Sequence, residues 1–221
     1  MCGRFTQMFL WEELYEFYSL TNTTIPNVRS SWNIAPTQNA GVLVPEESGL
    51  VYKEMRWGLI PYWAKDEKIG NSLINARTET VSSKPAFRAA FKARRCVVPA
   101  SGWYEWKMRV SVTRGKSVKQ PYYVKHRDNR PLNFAGLWER RMGSEDVFSF
   151  TILTTDASSR MRDLHDRMPM VMDDKGMEAW LAGEPPCLAH DVDDMLHLYP
   201  VSPRMNRPSY NQPDCIDEMK T

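Results

Sequence analysis

The chain has 221 residues, enough for one large domain or two small ones with a substantial core. Hydrophobic residues make up 42% and charged residues 25%, the balance of a soluble globular protein. No apolar run approaches the roughly 18–20 residues of a membrane span, which excludes a membrane-spanning helix. The net charge of +2 decides little, but its distribution is informative. Thr80 to Arg127 carries twelve Lys or Arg residues and a single acid, Glu105, so the rest of the chain is acidic. A basic middle points to a polyanionic partner, most simply nucleic acid; the competing explanation is a solvated surface whose charges happen to cluster. The N-terminus lacks the charged-then-apolar order of a secretory signal, which predicts a cytoplasmic location. Cys2, Cys96, Cys187 and Cys215 have no CxxC spacing and the histidines are dispersed, so neither a metal site nor a disulfide framework is expected.

No repeat, low-complexity tract or Gly/Ser linker divides the chain, which predicts one domain over residues 1–221. In chain order, Met8 to Leu20 puts Leu10, Leu14, Phe17 and Tyr18 at helical spacing, an amphipathic helix against the core. Asn22 to Pro36 reads as a loop. Strands are predicted at Gly41–Val44 and Leu50–Trp57 around a turn at Pro45–Gly49. Lys84 to Arg94 has the helical pattern, with Lys84, Arg88 and Lys92 on one face and Phe87 and Phe91 on another. Strand-like runs follow at Arg95–Pro99, Trp103–Met108, Pro121–His126, Leu132–Trp138 and Val147–Thr154. Helices are predicted at Ser158–Leu164 and Lys175–Leu181, a last strand at Leu196–Val201, and an irregular tail after Ser202. The sum is an α+β domain on a curved antiparallel sheet or barrel, with peripheral helices.

Chemistry begins at the second residue. Removal of Met1, which a small second side chain permits, gives Cys2 an α-amine and a thiol on adjacent carbons. Reference pKa values of about 7.7–8.0 and about 8.5 leave both groups partly deprotonated near neutrality. Such a 1,2-aminothiol condenses with an aldehyde to a Schiff base, and the thiol then closes a thiazolidine ring. On its own, Cys2 reads first as a small buried hydrophobe. Glu105 lies in Gly102-Trp103-Tyr104-Glu105-Trp106, where a strand turns Trp103 and Glu105 to one face. Aromatic neighbours raise a carboxyl pKa toward the range of acid–base catalysis, and nearby cations lower it; the sequence leaves the winner open.

His165 is bracketed by Asp163 and Asp166, either of which would fix its tautomer or charge, although a surface histidine after a helix looks the same. Thr154, at a predicted strand end, is a weaker candidate for the same site. Asn75 and Arg77 share one side of an extended segment, where Asn75 can hold the Cys2 backbone and Arg77 a phosphate. The plainer alternative is a capping asparagine and an Arg77–Glu79 ion pair. Tyr62 and Trp63, on a turn-rich segment, are candidate platforms for stacking single-stranded bases, although aromatic residues are more often core.

Taken in order, these segments resemble the SRAP family of abasic-site-sensing proteins. The resemblance rests on Met1-Cys2-Gly3-Arg4-Phe5, Trp32-Asn33-Ile34-Ala35-Pro36, Arg56-Trp57-Gly58-Leu59-Ile60-Pro61 and Ile74-Asn75-Ala76-Arg77-Thr78-Glu79-Thr80. It continues through the run from Arg95 to Trp106 and through His165-Asp166-Arg167-Met168-Pro169. The resemblance implies the SRAP α+β fold and a basic cleft for single-stranded DNA containing abasic sites. It also implies a thiazolidine cross-link between Cys2 and the ring-opened aldehyde. By the same resemblance Cys2 is the nucleophile, Asn75 positions it, Glu105 is the acid–base carboxylate and His165 assists ring opening and reversal. Arg4, Arg77 and Arg88 fall where the family contacts phosphates. An autopeptidase step that exposes Cys2, SOS-linked DNA repair and Schiff-base lyase-like chemistry are further implications. No cofactor and no membrane are expected. The remaining expectations are a monomer, cytoplasmic or nucleoid-associated in a bacterium, with the replication machinery as a candidate partner.

Two other classes fit parts of the pattern. In an N-terminal-nucleophile hydrolase, Cys2 would attack an amide with its own α-amine as base, but the basic stretch would then have no purpose. In a non-catalytic single-strand binding module, Cys2 would be idle.

Overall fold

In the computed structural model, residues 2–110, 117–143 and 145–219 are described. The first half of the chain forms β1 (Phe5–Gln7), α1 (Trp11–Tyr18), β2 (Ser31–Ile34), β3 (Asn39–Glu46), β4 (Gly49–Trp57), β5 (Asn75–Arg77) and α2 (Arg88–Ala93). Next come β6 (Arg95–Ala100), β7 (Gly102–Val110), β8 (Ser117–His126), β9 (Leu132–Arg141) and β10 (Val147–Asp156). The chain continues through β11 (Arg167–Pro169), β12 (Val171–Met172), α3 (Asp174–Leu181), α4 (Val192–Met195) and β13 (Leu196–Pro200). Single 3-10 turns at Glu67–Ser72, Pro203–Asn206 and Pro213–Ile216 complete the described chain. No helix among the described residues is long and apolar enough to cross a membrane.

Strand alternation explains how these elements pack. Strands β10, β4, β3, β6 and β9 pair in sequence, and β9 pairs back to β10, which closes a five-stranded barrel. Val42, Val44, Cys96, Val98, Phe134 and Ile152 turn to one side of it, into the largest apolar cluster. Leu43, Val97, Ala135 and Leu153, one residue out of phase, turn to the other side and meet Leu14, Tyr18, Phe87 and Trp180 from the helices. A second sheet, in the order β13-β8-β7-β1-β2, lays Trp103, Val124 and Leu196 on the first cluster. Its outer face carries Tyr104, Tyr123 and Tyr199, covered by Met205 and Cys215 of the C-terminal segment.

Several sequence expectations are corrected. The sheet is mixed, because β10 runs parallel to both β4 and β5. Ser158–Leu164 is a set of turns and not a helix. Its amides bond back to Ser158 and Met161, and Asp193 takes the Arg160 N–H and the Ser159 hydroxyl before a second helical turn can form. The N-terminal helix begins at Trp11, where Glu13 caps the Leu10 N–H at 2.9 Å, so Leu10 and Phe17 face solvent while Leu14 and Tyr18 are buried. The predicted 84–94 helix contracts to α2, preceded by a turn in which Phe87 and Arg88 bond to the Lys84 carbonyl. Asn22 to Pro36 contains β2, a strand that exists because β1 pairs with it. The tail after Ser202 is tied down by short 3-10 turns and by a bridge between Val201 and Glu218.

Candidate active site and nucleic-acid interface

β1 has only three residues and is held on both sides, by Trp103 and Gly102 of β7 and by Ile34 and Ser31 of β2. The pairing continues past the strand, where the Tyr104 N–H donates to the Arg4 carbonyl at 2.9 Å. That register carries Cys2 toward Glu105 and buries the Cys2 side chain fully. Phe5 packs edge-on against Trp57, with ring centroids 4.9 Å apart, and the Trp57 indole donates to the Ile74 carbonyl at 2.9 Å. Gly58 then turns the chain out of β4 at φ +120°, with Gly70 so close that a Cβ would lie 2.4 Å from its carbonyl oxygen. Beside Ile74, Asn75 Nδ2 donates to the Cys2 carbonyl at 2.7 Å. Ala76 points inward, which leaves Asn75 and Arg77 on the opposite side of β5.

Glu105 shares the Trp103 face of β7 and is 1% exposed. Burial lifts its carboxyl to about 7, and the charge of Asp166 adds to the rise. Burial also pushes the Cys2 thiol well up, and the Glu105 carboxylate reinforces this. The thiol is therefore protonated at neutral pH, and an ionised Glu105 is the adjacent base able to accept its proton. His165 lies across the same site, since Asp166 acts on Glu105 and also meets His165 Nδ1 at 2.6 Å. Asp166, and not Asp163, is thus the aspartate that engages the imidazole. The Arg167 N–H lies 3.0 Å from the same Nδ1, and burial lowers the imidazole pKa. Thr154 is fully buried; its carbonyl accepts from Thr78 N–H and Arg167 Nη2, and its hydroxyl has no hydrogen-bond partner among the described residues.

The candidate binding residues divide by exposure. Tyr62 and Trp63, 60% and 47% exposed on the loop after β4, are not core residues. Arg77 on β5 and Arg88 in the first turn of α2 are exposed. Arg4 is only 8% exposed, and its Nη1 donates to Asn33 Oδ1 at 2.7 Å and to the Met205 carbonyl at 3.0 Å. Its guanidinium joins β1 to the tail. The basic stretch is likewise not one surface. Arg94 pairs with Glu139 at 2.8 Å, and Arg95 lies 4.2 Å over the Trp180 ring and donates to the Trp180 carbonyl. Lys84, Arg88 and Lys92 remain exposed around α2, and Arg109 and Lys119 on the β7–β8 hairpin, whose Arg114 and Lys116 lie outside the described residues.

One brace under the site was not read from the sequence. The Arg167 guanidinium bonds to Glu79 at 2.7 and 3.0 Å, to Asp156 at 2.6 Å and to the Thr154 carbonyl at 2.6 Å. It thereby locks β11 to β10 and to the segment after β5, and it takes the Glu79 carboxylate that an Arg77–Glu79 pair would have used. The available signal was weak: Glu79 and Arg167 both sit inside the segments that carry the family resemblance.

With this fold and site in view, the chain belongs to the SOS response associated peptidase (SRAP) family, whose model matches residues 1–208. Among curated relatives, it is 38% identical to the abasic site processing protein YoqW of Bacillus subtilis, over 98% of this chain and 99% of that one. It is 34% identical to the abasic site processing protein HMCES of Xenopus tropicalis, over 84% of this chain and 65% of the relative. A crystal structure of a protein from Bacteroides thetaiotaomicron superposes with a TM-score of 0.82 at 21% identity, covering 99% of this chain and all of that one, which supports the fold.

Proposed function

We propose that this protein processes abasic sites in single-stranded DNA by forming a covalent thiazolidine through Cys2. The observation that carries the reading is the convergence of three motif residues. Asn75 holds the Cys2 backbone at 2.7 Å, and Glu105, with a carboxyl at about 7, lies within electrostatic reach of the Cys2 thiol. Relatives named as abasic site processing proteins point the same way.

The chemistry begins once Met1 is removed, a step for which the Cys2 thiol and Glu105 are the available nucleophile and base. The freed α-amine attacks the C1′ aldehyde of the ring-opened sugar, and the resulting carbinolamine loses water to give a Schiff base. Glu105 donates the proton to the departing hydroxyl and, then ionised, takes the proton of the Cys2 thiol as sulfur adds to the imine carbon. The new carbon–sulfur bond neutralises the iminium nitrogen, which keeps its hydrogen as the ring N–H, and the five-membered ring closes. His165 assists opening of the sugar and its reverse. A persistent Schiff base favours strand cleavage by β-elimination; the closed ring removes the imine and shields the strand. Arg77 and Arg88 supply phosphate contacts and Tyr62 and Trp63 supply stacking, neither of which reads sequence. Arg4, already engaged by Asn33 and Met205, supports the N-terminal segment from behind. One copy carries every residue named, so a monomer suffices. In a bacterium, a DNA partner implies a place in the cytoplasm, at the nucleoid.

A hydrolase acting on a small amide fits less well, because the exposed Arg77, Lys84, Arg88 and Lys92 would have no role toward a neutral substrate. The test is intact mass after mixing with an oligonucleotide containing one abasic site. Loss of Met1 and a heat-stable adduct are expected, and Cys2→Ala should form no heat-stable adduct without a reductant. A wild-type yield of stable adduct from Cys2→Ala would refute the thiazolidine.

A further inference from the structure

We propose that the site-facing side of the β7–β8 hairpin is a second phosphate track, which holds the DNA backbone on one flank of the reacting nucleotide. The proposal rests on the abasic-DNA reading above. Side chains two residues apart on a strand share a face and stand about 6.6 Å apart. Glu105, Lys107 and Arg109 form such a row on β7, paired across the hairpin with Tyr122, Gln120 and Val118. The far end of the row stays on this face: the Arg109 guanidinium lies 5.6 Å from the Tyr122 ring centroid and donates to the Tyr122 hydroxyl. Two cations therefore lead away from the carboxylate, at about 6.6 and about 13 Å along the strand. These steps are comparable to those between successive phosphates of an extended single strand.

The row faces a groove. An open groove of about 400 Å³ separates Lys107 and Tyr122 from Ser159, Arg160 and Leu164, and Leu164 immediately precedes His165. Through Leu164 and through Lys107, two residues along the strand from Glu105, its lining adjoins both proton-transfer candidates along the chain. Arg160 adds a third cation, its guanidinium fixed by a 3.1 Å bond to the Asp193 carbonyl. Asp163 is the acid on the lining. Neither Lys107 nor Arg109 is paired with a carboxylate among the described residues, in contrast to Arg94 and Arg167. Cations left unpaired beside a groove are what a polyanion neutralises, and each phosphate so bound releases counterions.

The test compares wild type with Lys107→Ala/Arg109→Ala on two kinds of DNA. On an undamaged single-stranded oligonucleotide over a salt series, each lost contact should lower the log–log slope by about 0.7, hence about 1.4 for the pair. On abasic oligonucleotides at subsaturating concentration, the variant should cross-link more slowly than wild type when both flanks are long. It should match wild type once one particular flank is trimmed back to the abasic nucleotide. Arg109→Lys keeps the charge and should keep the slope. An unchanged slope, as expected if the face serves an acidic protein, overturns the proposal. So does equal impairment on both trimmed substrates, or an Arg109→Lys as weak as Arg109→Ala, since packing against Tyr122 would then be the cause. The undamaged-DNA arm involves no cross-link. A wild type that shows the expected slopes but forms no adduct would refute the thiazolidine chemistry and leave the track standing.

Discussion

Glu105 is buried because β7 turns it inward with Trp103, and its carboxyl accordingly rises from 4.5 to about 7. Between those two values the native state binds more protons than the unfolded chain, so this group's contribution to stability falls as pH rises and levels off above about 7. A rise of that size corresponds to about 3 kcal/mol. Glu105→Gln cannot ionise. It should match wild type near pH 4 and exceed it by up to about 3 kcal/mol at pH 8, read from urea midpoints at the two pH values. A difference that does not change with pH would mean that Glu105 does not titrate in this range. The same variant should form the adduct about 10²–10⁴-fold more slowly at saturating abasic DNA, because the proton transfers lose their partner. Stability gained and activity lost by one substitution is the mark of a group buried for its chemistry. The sequence placed this carboxyl among aromatic rings but left the sign of its shift open, since nearby cations were equally legible. The opposing charge proved to be the N-terminal amine, and burial prevailed over it.

At the scale of elements, the site depends on β5, three residues long and paired to β10 alone among the strands. So short a strand does not hold itself, and Arg167 supplies the missing constraint through Glu79, Asp156 and the Thr154 carbonyl. Arg167→Lys retains a charge but not the planar fork, so it should fail to serve three partners at once. We expect a loss of about 1–3 kcal/mol in denaturant unfolding, together with slower adduct formation as Asn75 loses its register against Cys2. Full activity in Arg167→Lys would show that β5 is positioned by its backbone pairing alone. Long strands such as β3, β4, β9 and β10 were legible from alternation, although their ends were set one to three residues short. The two- to four-residue strands β2, β11 and β12 carry too few residues to show a period and exist only through the partner they pair with.

Across the whole molecule, the two sheets share one apolar cluster, and the C-terminal segment seals the outer face of the smaller sheet. Asn33 is the point of attachment. Its Nδ2 reaches the carbonyls of Met205, Arg207 and Tyr210, and its Oδ1 accepts from Arg4. Asn33→Ala should cost about 2–3 kcal/mol by leaving buried groups unsatisfied, and should speed proteolysis after Ser202 in a limited-digestion time course. Unchanged digestion would mean that Tyr104, Tyr123 and Tyr199 hold the tail by apolar contact alone. Through Arg4 the loss should also reach the N-terminal segment, so adduct formation is expected to slow even though Asn33 does not line the site.

By itself the sequence determined the chemistry and the periods: an aminothiol latent at Cys2, a carboxylate on the Trp103 face, an amide and a guanidinium sharing one side of β5, and strands whose alternation requires a core on two sides. These are local properties, fixed by covalent structure and by the two-residue repeat of an extended backbone. Only the tertiary structure decided which of those groups meet. Asn75 reaches Cys2 across 73 residues and Arg167 reaches Glu79 across 88, contacts set by barrel closure and strand register that no local pattern encodes. Arg4 shows the same division. Its charge reads as a phosphate contact, and the fold adds what the charge does not show: one guanidinium nitrogen beside β1 donates to Asn33 and to the Met205 carbonyl, 29 and 201 residues away.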